Sequence, residues 1–308
     1  MFVDLDYAIS LIKSGEAVII PTETVYGIAA LATSDEAVQK IYQIKRRPRS
    51  NPLIVHVSSI DEALIYGIFN EDAQKIAQVF WPGPVTIIVP KRNSKISTLV
   101  CPLDSIAIRV PNNNFTQNII KEVKGPIAAP SANIFTHLTP TTAEHAYQNF
   151  EGKIPVLDGG RSVYGIESTI IDCTASEAQI VRLGFIEPES ISNLTGINVK
   201  YSHLGAIKNL PGTHKKHYSP NNPLEIDVSY GSQESFAINF GESNLVAPFS
   251  LNLSETSNLN EAASNFFYML HEADKSVTKH KLQKIIVARI PRIGLGIVMN
   301  DKLLRATG

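Results

Sequence analysis

The run Ala17-Val18-Ile19-Ile20, stopped by Pro21, constrains this chain more than any other stretch. Three β-branched residues in four, closed by a proline, read as a short strand buried on both faces. The polar stretch Pro21-Thr22-Glu23-Thr24-Val25-Tyr26-Gly27 follows without a break. Ligands of α/β proteins bind where buried strands end, so two threonines, a carboxylate and a tyrosine at that point form a candidate site wall. An ordinary strand-to-helix turn, with Gly27 serving geometry and the threonines capping backbone, explains the same residues equally well.

The pattern recurs along the chain. Residues 52–57, 85–89, 105–111, 126–129, 156–160, 165–172 and 180–184 each carry a short apolar run beside proline, glycine or an abrupt polar change. Between them lie helical spacings. Leu5, Ala8, Ile9 and Ile12 form one face before Gly15, and Ala37, Ile41 and Ile44 form another behind the capping-box sequence Thr33-Ser34-Asp35-Glu36. Residues 61–80 read as a helix in two pieces, and Thr139-Pro140-Thr141 opens another that runs to about Phe150. Strands alternating with helices give an α/β protein.

At 308 residues there is room for about two domains. A formal net charge of −1 argues against general coating of nucleic acid and leaves room for a local basic site. Cys101 and Cys173 stand alone, outside any CxxC or Cys/His cluster, which argues against zinc and for a reducing compartment. The acidic start Met-Phe-Val-Asp-Leu-Asp lacks the basic region of a signal peptide, and no apolar run approaches the roughly 20 residues of a membrane span. A cytoplasmic location without a membrane is the expectation.

Basic residues concentrate in one loop. Between Glu36 and Asp61 there is no carboxylate, whereas Lys40, Lys45, Arg46, Arg47 and Arg49 are all present. Pro48 disfavours helical geometry at Arg47 and ends the preceding helix there. Such a cluster repels itself unless it is solvated or an anion visits it; forked guanidiniums suit phosphate oxygens, and lysine acts as a point charge. His56 interrupts the next strand, as a satisfied core histidine or as a residue facing the same cavity as the opening turn. Arg109, opposite Ile108 and Val110 on an alternating strand, needs an anionic partner or a wet cavity. Small residues in Ala128-Ala129-Pro130-Ser131-Ala132-Asn133 let a flat ring or ligand approach closely. Neither a GxGxxG fingerprint nor a Walker A lysine motif is present, so any nucleotide sits in a different cradle.

Strand and helix patterns lapse between Tyr201 and Asn222, in a Pro/Gly-bracketed segment containing His214, Lys215, Lys216, His217 and Tyr218. This is the expected domain boundary. Beyond it, 224–228, 235–240 and 284–288 read as strands, and 258–275 and 298–306 as helices.

Together these motifs resemble the two-domain threonylcarbamoyl-AMP synthases of the Sua5 type, whose first domain is YrdC-like. The resemblance rests on the PTETVYG turn at 21–27, Lys45-x-Arg47-Pro48, the PLIVHV strand at 52–57 and FWPGP at 80–84. Further matches are IRVP at 108–111, APSAN at 129–133, Asp158-Gly159-Gly160, GIEST at 165–169, Arg182-Leu183-Gly184 and His217-Tyr218-Ser219-Pro220. It spans nearly the whole chain, with one departure: Phe135-Thr136 stands where the family usually has Ser-Gly.

The resemblance implies a YrdC-like catalytic domain over 1–200, a twisted open α/β sheet with a concave basic pocket. A linker over 201–222 would follow, with 211–220 and Tyr218 folding over the pocket mouth as a lid, then a smaller Rossmann-like α/β domain over 223–308. It implies synthesis of threonylcarbamoyl-AMP and pyrophosphate from L-threonine, bicarbonate and ATP, for the tRNA modification N6-threonylcarbamoyladenosine. Lys45 and Arg47 would be catalytic, stabilising phosphate charge, with Asn51 beside them. Thr24, His56, Arg109 and Ser168 would hold threonine. Ser105, Ala129, Ser131, Asn133, Thr139, Arg182 and Tyr218 would join Arg47 on the nucleotide side. Mg²⁺ would ride on the ATP phosphates with no metal site of the protein's own. The product would pass to a tRNA threonylcarbamoyl transferase, with weak tRNA contact left open. The competing expectation is a YrdC-type protein that binds RNA or nucleotide without synthesis.

Overall fold

The computed structural model describes residues 1–92, 95–101, 103–201 and 217–307. Its larger sheet has eleven strands among the described residues. In chain order these are β1 (Phe2–Val3), β2 (Val18–Ile20), β3 (Gly27–Leu31), β4 (Ile54–His56), β5 (Val85–Pro90), β6 (Ser105–Arg109), β7 (Ile127–Ala128), β8 (Val156–Leu157), β9 (Thr169–Asp172), β10 (Gln179–Arg182) and β11 (Lys200–Tyr201). Their spatial order is β1-β8-β2-β3-β7-β4-β6-β5-β9-β10-β11. The sheet is mixed: β4 runs parallel to β6 and β5 to β9, while β2–β3 and β5–β6 are antiparallel. The turn after β2 therefore leads to a strand, correcting the strand-to-helix reading.

Seven helices among the described residues accompany this sheet: α1 (Leu5–Lys13), α2 (Asp35–Lys45), α3 (Ile60–Tyr66), α4 (Glu71–Phe80), α5 (Asn114–Val123), α6 (Ala143–Asn149) and α7 (Pro188–Thr195). Local chemistry sets their ends. Ser34 caps α2 by accepting from the Ala37 amide at 3.2 Å, and Arg46 closes it in the left-handed region at φ 52°. That reversal throws residues 47–52 back across the strand ends. Ser59 and Asn70 cap α3 and α4 separately, which splits 60–80 into two pieces as the sequence suggests. The cap of α6 is Thr142, so this helix starts later than Thr139-Pro140 indicated, and Thr139 is instead fully buried.

The second sheet is wholly parallel, ordered β12 (Leu224–Val228), β15 (Lys284–Ala288), β13 (Ser235–Asn239), β14 (Phe249–Asn252). Helices α8 (Leu259–His280) and α9 (Leu295–Thr307) pack with it, each longer than its apolar pattern suggests. One contiguous buried cluster runs from Ile28 and Val55 through Leu183 to Phe266, Leu270 and Val298, so the two units share a core. Their contact is intimate. Arg161 donates to Ser264 O and Asn265 Oδ1 and stacks its guanidinium 4.2 Å from the Tyr268 ring centroid. Gly165, at φ +65°, lies so close to α8 that a Cβ would sit 2.2 Å from Ser264 O. His145 on α6 stacks on His271 of α8 with centroids 4.2 Å apart.

Candidate active site

A cleft open at its mouth lies where β2, β4, β6, β7, β9 and β10 end or begin. Strand register builds its floor. His56 and Arg109 are direct neighbours on the parallel pair β4–β6, so their side chains share a face. Burial, reinforced by the Arg109 charge, pushes His56 down to about 3, and the imidazole stays neutral.

Arg109 is 4% exposed, and each of its three nitrogens faces an oxygen while two of its five N–H groups stay free for a ligand. It donates through Nη1 to Thr24 Oγ1 at 2.9 Å and through Nε to Gly83 O at 3.1 Å. Its Nη2 lies 2.6 Å from Glu23 Oε1, an equally buried carboxylate that also accepts from the Asn112 amide. The opening turn is thus folded around a charge. Thr22 Oγ1 donates to Val25 O and accepts from the amides of Thr24 and Val25, fixing the loop that presents Thr24. Tyr26 contributes from the rear, where its hydroxyl donates to Gly160 O and accepts from Gly159 N, pinning the Asp158-Gly159-Gly160 loop.

The opposite end is cationic without carboxylate partners. Arg47 donates to Asn51 O, Asn51 Oδ1 and Pro52 O, all neutral oxygens. Lys45, 1% exposed, donates to Ser131 O at 2.5 Å and Asn133 O at 2.6 Å. Among the described residues neither has a carboxylate within ion-pair distance. Burial, aided by Arg47, holds the Lys45 ammonium well below the usual lysine range, with Glu167 pulling the other way. Burial also brings Arg47 down to about 10, where it remains charged at neutral pH. Ser131 Oγ donates to Asn133 Oδ1, and Asn133 donates onward to Ile134 O and His137 O, so the loop that binds Lys45 is itself braced.

A third wall comes from the β9–β10 pair and the second domain. Ser168 Oγ lies 2.8 Å from Thr86 Oγ1, while Arg182 donates to both Ser168 O and Ser168 Oγ. Glu167 sits beside them and meets Lys302 of α9, with Nζ 3.1 Å from Oε2. Burial alone would raise this carboxylate, but Lys302, Arg182 and His217 more than offset it and hold it down at about 2. His217 closes this side, edge-on to Tyr218 with centroids 4.0 Å apart. Burial drives His217 down to about 3 against the pull of Glu167, so it is neutral as well.

Of the residues expected from sequence, the structure brings Thr24, Arg47, His56, Arg109, Ala129, Ser131, Ser168 and Arg182 to the cleft lining. Lys45, Asn51, Asn133 and Thr139 are buried around it, bracing the lining groups. Tyr218 is buried beneath Lys302, 4.7 Å from its ring centroid to the ammonium. Ser105 is placed differently: it begins β6 while Arg109 ends it, about 13 Å away at strand rise, and it is outside the lining. Residues 211–216 of the expected lid, 211–220, and most of the linker lie outside the described residues; within the rest of it His217 N donates to Arg305 O and Ser219 N to Thr136 O. Sequence reasoning left Glu23 unassigned and passed over Glu167 and Lys302 as site residues. Glu167 was within reach, because a carboxylate inside the apolar GIEST segment requires a cation once buried.

Fold and cleft define a two-domain α/β protein with a cation-walled small-molecule site at its strand ends. Residues 10–184 match the Sua5/YciO/YrdC family model, described as telomere recombination. Residues 186–308 match the model described as threonylcarbamoyl-AMP synthase, C-terminal domain. The chain belongs to this family, in its two-domain Sua5 form. A threonylcarbamoyl-AMP synthase of Pyrococcus abyssi is 31% identical, covering 98% of this chain and 93% of the relative. One from Bacillus subtilis is 32% identical, covering 98% and 92%. The crystal structure of P. abyssi Sua5 complexed with L-threonine superposes with a TM-score of 0.89 at 28% identity, covering 100% of this chain and 97% of that one.

Proposed function

We propose that the chain is an L-threonylcarbamoyladenylate synthase, a nucleotidyltransferase that makes threonylcarbamoyl-AMP and pyrophosphate from L-threonine, bicarbonate and ATP. The observation that carries this reading is the division of one cleft between Arg109 with His56 at one end and Arg47, backed by the buried Lys45, at the other. The chemistry needs such a division. Threonine's amine condenses with bicarbonate to a carbamate as water leaves, and a carbamate oxygen attacks the α-phosphate of ATP as the bond to pyrophosphate breaks. No covalent protein nucleophile is required, so positioning and charge stabilisation carry the rate.

Arg109, oriented by Glu23 and Thr24, takes the threonine carboxylate, with neutral His56 and Ser168 around the amino acid. Arg47 faces the phosphates, with Lys45 buried behind the Ser131–Asn133 loop, and together they stabilise charge on the departing pyrophosphate. Ala129, Ser131 and Arg182 line the nucleotide, with Asn133, Thr139 and Tyr218 behind them. Mg²⁺ would enter on the phosphates, since the nearby carboxylates Glu23 and Glu167 are each engaged by a cation. The product is a labile mixed anhydride, consumed in the cytoplasm by a transferase that modifies tRNA.

Pyrophosphate release from ATP, with threonine and bicarbonate omitted in turn, tests the reading. Release should require both. Release that ignores threonine, or nucleotide binding with no release at all, leaves the cleft as a nucleotide-binding site without synthesis.

A further inference from the structure

The one carboxylate among the described lining residues of the cleft is Glu167, and its cation comes from the other domain. Lys302 is 1% exposed and projects from α9 into the first domain. Its ammonium lies 3.1 Å from Glu167 Oε2, 3.4 Å from Leu183 O and 4.7 Å from the centroid of the Tyr218 ring. Glu167 Oε1 accepts a long bond from Thr139 Oγ1 at 3.4 Å, a neutral donor. Among the described residues no other cation lies within ion-pair distance of Glu167.

An ion pair so dry is a poor device for stability alone, because desolvation of both charges offsets most of their attraction. Its position gives it a different use. Through Thr139 and Arg182, Glu167 borders the side assigned to the nucleotide, while Ser168 next to it belongs to the threonine side. An unpaired carboxylate there would oppose a triphosphate across a low-dielectric gap and would compete with it for Arg182 and Lys45.

We propose that Lys302 is a positioning residue through which the second domain makes the nucleotide end of the cleft receptive: it cancels Glu167, freeing Arg47, Arg182 and Lys45 for phosphate. The second domain then contributes to ATP binding without touching ATP. This rests on the assignment of ATP to that end of the cleft.

The test is a charge-rescue cycle in the full-length chain. The Kd values of Mg·ATP and of L-threonine are measured by calorimetry for the wild type, Lys302→Met, Glu167→Gln and the double variant. Lys302→Met should weaken Mg·ATP by about 10-fold or more, as expected for a buried charge left unpaired, while L-threonine changes by less than about 2-fold because its site lies at Arg109. Glu167→Gln added to Lys302→Met should restore most of the ATP affinity, since neither charge is then left alone. A purely structural role for Lys302 predicts equal losses for both ligands, and that outcome, or a double variant no better than Lys302→Met, overturns the proposal. If Lys302→Met is insoluble, the double variant decides alone: near-wild-type ATP binding supports the proposal and its loss refutes it. Threonine-dependent pyrophosphate release by the wild type tests the synthase reading separately, because Mg·ATP affinity is measured with no reaction taking place.

Discussion

The two ends of the cleft hold buried cations in opposite ways. At the threonine end Arg109 is matched by Glu23 at 2.6 Å, each 4% exposed, so the pair is neutral before any ligand arrives. At the phosphate end Lys45 and Arg47 lie against carbonyl and amide oxygens only. Neutral oxygens satisfy hydrogen bonds without cancelling charge. The first arrangement fixes a guanidinium in one orientation for one small carboxylate. The second keeps positive potential for a tetra-anion that brings its own metal. The difference teaches that a carboxylate beside a site cation is a device for aim, and its absence a device for attraction.

Breaking the matched pair should have the largest effect. Glu23→Gln keeps the shape but leaves Arg109 buried without its counter-charge, and should cost about 3 kcal/mol of stability. Denaturant midpoints check this, and the same variant should raise the KM for threonine by about 10-fold with little change for ATP. A middle-sized effect should follow Arg47→Lys, which keeps the charge but loses the fork that grips Asn51 and Pro52. ATP should then bind about 10-fold more weakly, with threonine unaffected; if ATP is indifferent, charge alone matters at that end. The smallest effect concerns pH. His56 falls from an unfolded value near 6.5 to about 3 when folded, so only the unfolded chain takes up its proton between those values. Stability should therefore drop as pH falls from 6.5 towards 3. His56→Gln should flatten this limb relative to wild type in denaturation series, leaving the share due to the other buried histidines.

Much of this was legible in residue order. β-branched runs bounded by proline marked β2, β4, β5 and β6, and the acid-free stretch around Lys45 marked the cationic loop before its geometry was known. β1 and β11 are two-residue strands, too short for periodicity to register, and β14 is an edge strand with exposed or half-buried side chains. The partners of the charges were hidden for a different reason. Arg109 announces that it needs an anion, but nothing local says whether the anion is Glu23 or a ligand. Lys302 reads as an ordinary lysine on an amphipathic helix, and only docking of α9 beside Glu167 gives it a role. Tyr26 likewise shows its purpose only once the 158–160 loop is placed against it.

Affinities of L-threonine and Mg·ATP, measured side by side for Arg109→Ala and Lys45→Ala, test the division of the cleft most directly. Arg109→Ala should abolish threonine binding, by about 100-fold or more, and spare ATP, while Lys45→Ala should weaken ATP and spare threonine. Equal losses of both ligands in either variant would contradict a cleft with two separately built ends.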